Sequence, residues 1–173
     1  PPGCRGSDVV VVGGGNSAGQ AAMFLSQHTR HLWLLLRGDD LRRNMSSYLA
    51  DRVEGAENVT VLRQTEIRRM VGDERLEAVE VEDVPTGATR RIETPAVFSF
   101  IGAAPRTSWL PPGIQTDARG FVLTGRAVAL PAERARARDP STLETSRPGI
   151  FAAGDVRQGS VKRVSSAVGE GAM

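Results

Sequence analysis

The sequence predicts an α/β fold: a parallel sheet with helical crossovers that runs on into an antiparallel meander. Three observations predict it. Residues 9–12, four valines in a row, end in glycines and lead at once into helical spacing. The first sixty residues then read β-α-β-α-β, which calls for parallel strands and right-handed crossovers. From residue 66 the period shifts from helical to two, with turn residues between short alternating segments.

Each element has its own reason. Residues 9–12 are β-branched and suit a strand buried on both faces. From Ser17, the apolar residues Ala18, Ala21, Ala22 and Leu25 recur on one helical stripe. Residues 31–36 form a second apolar strand that ends at Arg37 and Gly38. Residues 41–53 read as one helix, and Val59 and Val61 mark a third strand. The segments 66–70, 76–84 and 89–94 alternate in twos around Gly72-Asp73 and Pro85-Thr86-Gly87. Residues 97–101 read as a buried strand that stops at Gly102. Ala103-Ala104-Pro105 breaks the chain there, so two domains are expected, 1–105 and 106–173. Beyond the break, residues 120–124 are expected as a short strand and 149–156 as a final strand and turn. Residues 165–172 are expected as a helix.

Composition excludes several classes. With 40% hydrophobic and 24% charged residues and a net charge of +2, neither a nucleic-acid nor a membrane partner is indicated. The arginine-rich stretch 130–139 lacks interleaved aromatics and reads as a solvated loop before a nucleic-acid patch. A single cysteine, Cys4, rules out a disulfide framework or a C-x-x-C pair within these residues. Cys4 reads as a strand-flanking residue. A reducing, cytoplasmic setting is the default. His28 and His31 stand alone, as helix-end or strand-edge residues. Glu170 is the one remaining carboxylate of interest.

The chemistry concentrates in two places. The first is Gly13-x-Gly15-x-x-Ala18, which fits the G-x-G-x-x-G/A dinucleotide fingerprint. Gly13 permits the tight turn off the strand. Gly15, with no Cβ, lets the backbone approach a pyrophosphate. Ala18 lets the helix pack close to the strand. The free N–H groups and dipole of that helix face the phosphates. Asn16 and Ser17 either cap the helix or bond the phosphates. At the end of the second strand an acid would bond a ribose 2′-OH and favour NAD or FAD. Arg37 stands there instead, 22 residues after Gly15, with Arg42 and Arg43 close behind. A guanidinium suits the 2′-phosphate of NADP. The alternative is a surface network with Asp39 and Asp40.

The second place is Thr145–Asp155, TSRPGIFAAGD. Ile150 and Phe151 are expected to be buried. Gly154 clears space for a ligand and Asp155 offers a carboxylate to a polyol hydroxyl, or caps the following helix.

Together, GGGNSAGQAAMFLS, LLLRGDDLRRNMSSYL, FIGAAPRTSWL and TSRPGIFAAGDVRQGSVKRVSSAVGEGAM resemble the pyridine-nucleotide flavoprotein reductases, and within them the thioredoxin-reductase-like proteins. The resemblance spans nearly the whole chain, in the family's order. It implies a Rossmann-like NADPH-binding domain with a meander, followed by the C-terminal part of an FAD-binding domain. It implies hydride transfer from NADPH to FAD and on to an acceptor. Gly13, Gly15, Asn16, Ser17 and Ala18 would hold the NADPH pyrophosphate, and Arg37 and Arg42 the 2′-phosphate. Ile101 and Gly102 would lie along NADPH. Gly154 and Asp155 would contact FAD, as would Lys162, Arg163 and Val164, where the match is positional more than chemical.

Two departures matter. The family often has a second Arg after the first, where this chain has Gly38, which loosens the 2′-phosphate clamp. The dithiol of true thioredoxin reductases has no counterpart around Cys4. The sequence is also expected to be a piece of a longer protein lacking the first FAD-binding half, with the isolated piece inactive and the longer protein a homodimer. The expected acceptor, a disulfide or another group, belongs to a redox acceptor protein or a small molecule. The rival readings are a ferredoxin- or quinone-type reductase and a non-catalytic dinucleotide-binding module.

Overall fold

The computed structural model describes residues 2–129, 131 and 139–173. The chain divides into two compact units, Pro1–Gly102 and Ala103–Met173.

In the first unit, β1 (Asp8–Val12), β2 (His31–Leu36), β3 (Val59–Arg63) and β7 (Val97–Ser99) form a parallel sheet in the order β3-β2-β1-β7. The register sets Val10 beside Trp33 and Val97. The crossovers carry α1 (Asn16–Ser26) and α2 (Ser47–Glu54). Strand alternation divides the sheet's contacts cleanly. Val9, Val11, Leu32, Leu34 and Leu36 face one cluster, which also holds Ala18, Ala22 and Leu25 of α1 and Leu49 and Val53 of α2. Val10 and Leu35 face the other, against Val79, Val81 and Ile92. Those three belong to the antiparallel meander β4 (Thr65–Gly72), β5 (Leu76–Asp83) and β6 (Thr89–Glu93), which covers the second face. Both faces are thus buried, the usual condition of a parallel sheet. Each fully buried Val or Leu contributes on the order of 1.5–3 kcal/mol.

Two expectations in this unit change. Residues 41–53 do not form one helix. A 3-10 turn, Leu41–Arg43, is capped by the Asp40 carboxylate on the Arg42 N–H at 2.9 Å. The chain then leaves helical geometry at Asn44 and Ser46 before α2 begins. Asn and Ser favour such caps and turns over helix interiors, and the break still buries Leu41 and Met45. The strand expected over 97–101 ends at Ser99, and Ile101 is 77% exposed. β7 has β1 as its one neighbour, and β1 ends at Val12 opposite Ser99, so only the Phe100 N–H, donating to the Val12 carbonyl at 2.7 Å, continues the pairing.

The second unit has little regular structure. Residues 120–124 form no strand: Val122 makes isolated bridges to Thr116 and Arg157. Residues 149–156 form none either. Phe151 bridges Glu144, and Gly154–Val156 is a 3-10 turn. Ile150 and Phe151, expected in a core, are 38% and 59% exposed. A short apolar run reads as a strand only if a neighbour pairs along its length, and here the bridges engage single residues. The buried apolar residues described in this unit are Phe121, Val122, Val128 and Leu143. α3 (Val164–Gly171) forms as expected, with none of its residues buried. The arginine-rich stretch 130–139 lies, but for residues 131 and 139, outside the described residues.

Candidate functional site

The glycine turn lies between β1 and α1, at the C-terminal edge of the parallel sheet. Its glycines serve different needs. Gly13 has φ +144°, and a Cβ there would stand 2.6 Å from the Phe100 carbonyl oxygen and 3.1 Å from the Ala18 Cβ. The fold itself therefore demands Gly13. Gly14 is less constrained: its backbone is not left-handed, and a Cβ there would displace the tip of the Leu36 side chain. Gly19 lets Met45 and α2 close in, because a Cβ there would lie 2.7 Å from the Met45 sulfur and 2.8 Å from Leu49 of α2.

Gly15 is different. It is the N-cap of α1 with an extended backbone, φ −100° and ψ 178°. A Cβ there would find only the Asn44 carbonyl, at an ordinary 3.7 Å. Nothing in the fold requires this glycine. No side chain caps α1, so the N–H groups of its first turn keep their hydrogen-bonding capacity. Asn16 and Ser17 are exposed and Ala18 is buried. Asn16 does not cap α1, whose N-cap is Gly15. Its side-chain oxygen accepts the Ser46 N–H at 2.9 Å, which ties the start of α1 to the start of α2.

Arg37 follows β2 directly. It is exposed and makes no ion pair among the described residues. Arg42 is heavily engaged. Its guanidinium pairs with Glu54 at 2.9 Å, with Asp51, and more distantly with Asp40 at 3.9 Å. Hydrogen bonds to Glu54 first, and then to Asp51, raise its pKa above the ordinary arginine value. Glu54 also holds Arg63 at 2.5 Å, and Arg43 pairs with Asp39 at 3.1 Å. Ile101 is exposed, and Gly102 has φ +89° with open space around its Cα.

In the second unit, Gly154 has φ +75°. A Cβ there would lie 3.2 Å from that of Ala167 in α3. Its N–H donates to Glu170 at 2.7 Å, and Glu170 also takes Arg157 at 2.5 Å. The Arg157 guanidinium, then the Gly154 N–H, hold the Glu170 carboxyl below its usual range. Asp155 is exposed and does not cap α3, whose N-cap is Arg163. Lys162 donates to the Asp155 carbonyl at 2.8 Å and lies 4.1 Å from the centre of the Phe121 ring. Arg163 and Val164 are exposed, Val164 at 83%.

The sequence profile of the pyridine nucleotide-disulphide oxidoreductases matches residues 2–171. The chain belongs to this family. Among curated members it is 34% identical to a thioredoxin reductase of Neurospora crassa, over 98% of this chain and 46% of that protein. It is 32% identical to the 34.2 kDa protein in the rubredoxin operon of Clostridium pasteurianum, over 96% of this chain and 49% of that protein. Among solved structures, the thioredoxin reductase of T. acidophilum superposes with a TM-score of 0.75 at 29% identity, covering 97% of this chain and 50% of that one. The thioredoxin reductase of Lactococcus lactis gives 0.74 at 27%, covering 98% and 50%. The chain spans about half the length of these relatives.

Sequence reasoning missed four features of this family member. The Arg42–Glu54–Arg63 and Asn16–Ser46 links join residues that come together only through the crossovers. The Glu170–Arg157 pair links α3 to the Gly154 turn across thirteen residues. Glu144, 2% exposed, accepts the Gly149 and Ser141 N–H groups at 3.0 and 3.2 Å. No local pattern signals any of them. Among the described residues no cluster of potential metal ligands occurs, and no helix is long and apolar enough to cross a membrane.

Proposed function

We propose that this chain carries the NADPH-binding site of a flavoprotein oxidoreductase of the thioredoxin-reductase type. The observation that carries the reading is Gly15: a glycine the fold does not need, at an uncapped helix N-terminus on the C-terminal edge of a parallel sheet. That is where an approaching pyrophosphate needs bare backbone and open N–H groups. A Cβ would fill this cradle, so the residues fit the group. Gly13 and Ala18 shape the turn, and the Gly15–Ala18 backbone and the Ser17 hydroxyl bind the pyrophosphate. Asn16 braces the turn through Ser46. Arg37 reads the 2′-phosphate, and Ile101 and Gly102 flank the cofactor farther along.

In the second unit the Gly154 turn and the exposed Asp155 carboxylate suit the hydroxyl-rich part of FAD, with Lys162, Arg163 and Val164 alongside. The Gly154 N–H is already donated to Glu170, so hydrogen bonding there comes from the exposed Asp155 carboxylate as acceptor from the FAD hydroxyls. When bound, the two cofactors supply the hydride donor and its acceptor. The chain's residues bind and orient. Its one cysteine, Cys4, is buried, so these residues supply no dithiol, and reduction of a partner's disulfide draws on groups beyond them.

Calorimetric titration of the chain with NADPH and with NADH tests the reading. Gly15→Val is expected to weaken both dinucleotides by about a hundredfold while leaving the thermal midpoint near that of the parent. Arg37→Ala is expected to weaken NADPH about tenfold to a hundredfold, the worth of charge-assisted hydrogen bonds, and to spare NADH. Equal losses for both ligands in Arg37→Ala would remove the 2′-phosphate role.

A further inference from the structure

We propose that Glu54 and Asp51 withhold Arg42 from the dinucleotide, so that 2′-phosphate recognition falls to Arg37, and Glu54 thereby sets how strongly the site discriminates between NADPH and NADH. The inference rests on the NADPH reading above and deepens it.

The two arginines stand in opposite situations. Arg37 leaves β2 exposed and carries no ion pair among the described residues. Arg42 points its Nη2 at both Asp51 and Glu54 on α2, and its own N–H is taken by Asp40 at 2.9 Å. A guanidinium grips a phosphate by offering two parallel N–H groups. Arg42 has already spent that edge on carboxylates. To reach a phosphate it must leave both of them, and they then stand beside the dianion as like charges. Glu54 does not withdraw to relieve this, because Arg63 on β3 anchors its other oxygen at 2.5 Å. Arg43 offers no substitute, being paired with Asp39. Gly38, next to Arg37, adds no charge. Arg42 therefore acts as a clasp from the Leu41–Arg43 turn to α2, and the positive field left for a 2′-phosphate centres on Arg37.

Calorimetric titration of the chain with NADPH and NADH, with thermal melting of each variant, decides the matter. Arg42→Ala is expected to change NADPH affinity less than threefold and to lower the melting midpoint. Arg37→Ala is expected to weaken NADPH at least tenfold. The double variant Asp51→Asn/Glu54→Gln, which releases Arg42, is expected to tighten NADPH at least threefold with NADH unchanged. Arg42→Ala weakening NADPH tenfold or more, with NADH spared, overturns the inference and leaves the NADPH reading standing. If Arg42→Ala does not fold, the double variant decides, and unchanged NADPH affinity there overturns the inference. A chain that binds neither dinucleotide overturns the reading, and the inference falls with it.

Discussion

Gly15 in the first unit caps α1 and Gly154 in the second opens a 3-10 turn; each sits where a ligand is proposed, yet their surroundings differ. Gly154 is explained from within: φ +75° and the approach of Ala167 both call for glycine. Gly15 has an ordinary backbone and room for a side chain. The same contrast runs through the two units. The first has a sheet buried on both faces by apolar side chains. The second, as described, is held chiefly by polar contacts: Glu144 on two backbone N–H groups, the Asp117 carboxylate on two more, and Glu170 on Arg157 and Gly154. A glycine that the internal geometry leaves unexplained points outward to a ligand more clearly than one the fold already requires.

The sharpest way to break that contrast is to add one methyl group at each glycine. Gly13→Ala is expected to cost about 3 kcal/mol, since it combines a left-handed backbone with a clash against a backbone carbonyl that cannot move aside. Gly154→Ala is expected to cost about 1–2 kcal/mol, from the left-handed penalty and modest crowding. Gly15→Ala is expected to stay within about 0.5 kcal/mol. Urea unfolding of the three variants measures the order. Gly15→Ala as destabilising as Gly154→Ala would show that the fold does need Gly15.

A second test addresses how the units are held. Glu144 is fully enclosed, and both its oxygens receive backbone N–H groups of its own loop. Glu144→Ala is expected to destabilise the second unit by about 2 kcal/mol, because two donors lose their acceptor. Hydrogen exchange resolves where the loss falls: amides of 141–157 should exchange faster, while those of β1 and β2 keep their protection. Uniform loss across both units would contradict the contrast.

How far the sequence reaches follows the same divide. The β-α-β order, the meander and the glycine turn are legible because each depends on local periodicity or on backbone permissiveness at one residue. The break between Leu41 and Ser47 was hidden because Leu41, Met45 and Leu49 keep an apolar spacing that a helix would also satisfy. The expected strands at 120–124 and 149–156 failed because pairing depends on what lies alongside, and composition does not carry that. Arg42 shows the limit at the site. Its place beyond β2 is legible, but its pairing with Asp51 and Glu54, nine and twelve residues on, forms only once α2 folds back. The family matched by residues 2–171 and the superposed structures agree with the legible part, the α/β fold.

The smallest expected effect is also the most specific to the second unit. Glu170 is stabilised as the anion by Arg157 and by the Gly154 N–H, so its folded pKa lies below the ordinary 4.5. A carboxyl depressed on folding contributes stability that is fully present above its unfolded value and is lost as pH falls through the folded one. The contribution is therefore intact near neutrality and declines below about pH 4.5. Protonation takes the charge off Arg157's partner and weakens the acceptor that holds the Gly154 turn to α3. Other carboxyl groups titrate in the same range, so the decisive quantity is the difference between the parent and Glu170→Gln. The parent is expected to melt higher by on the order of 2 °C at pH 7, with the gap closing as the pH falls below about 4.5. A gap that stays constant across that range would mean that the carboxylate charge does no work there. The link between α3 and the Gly154 turn would then rest on shape and hydrogen-bond geometry alone, as the apolar first unit rests on its packing.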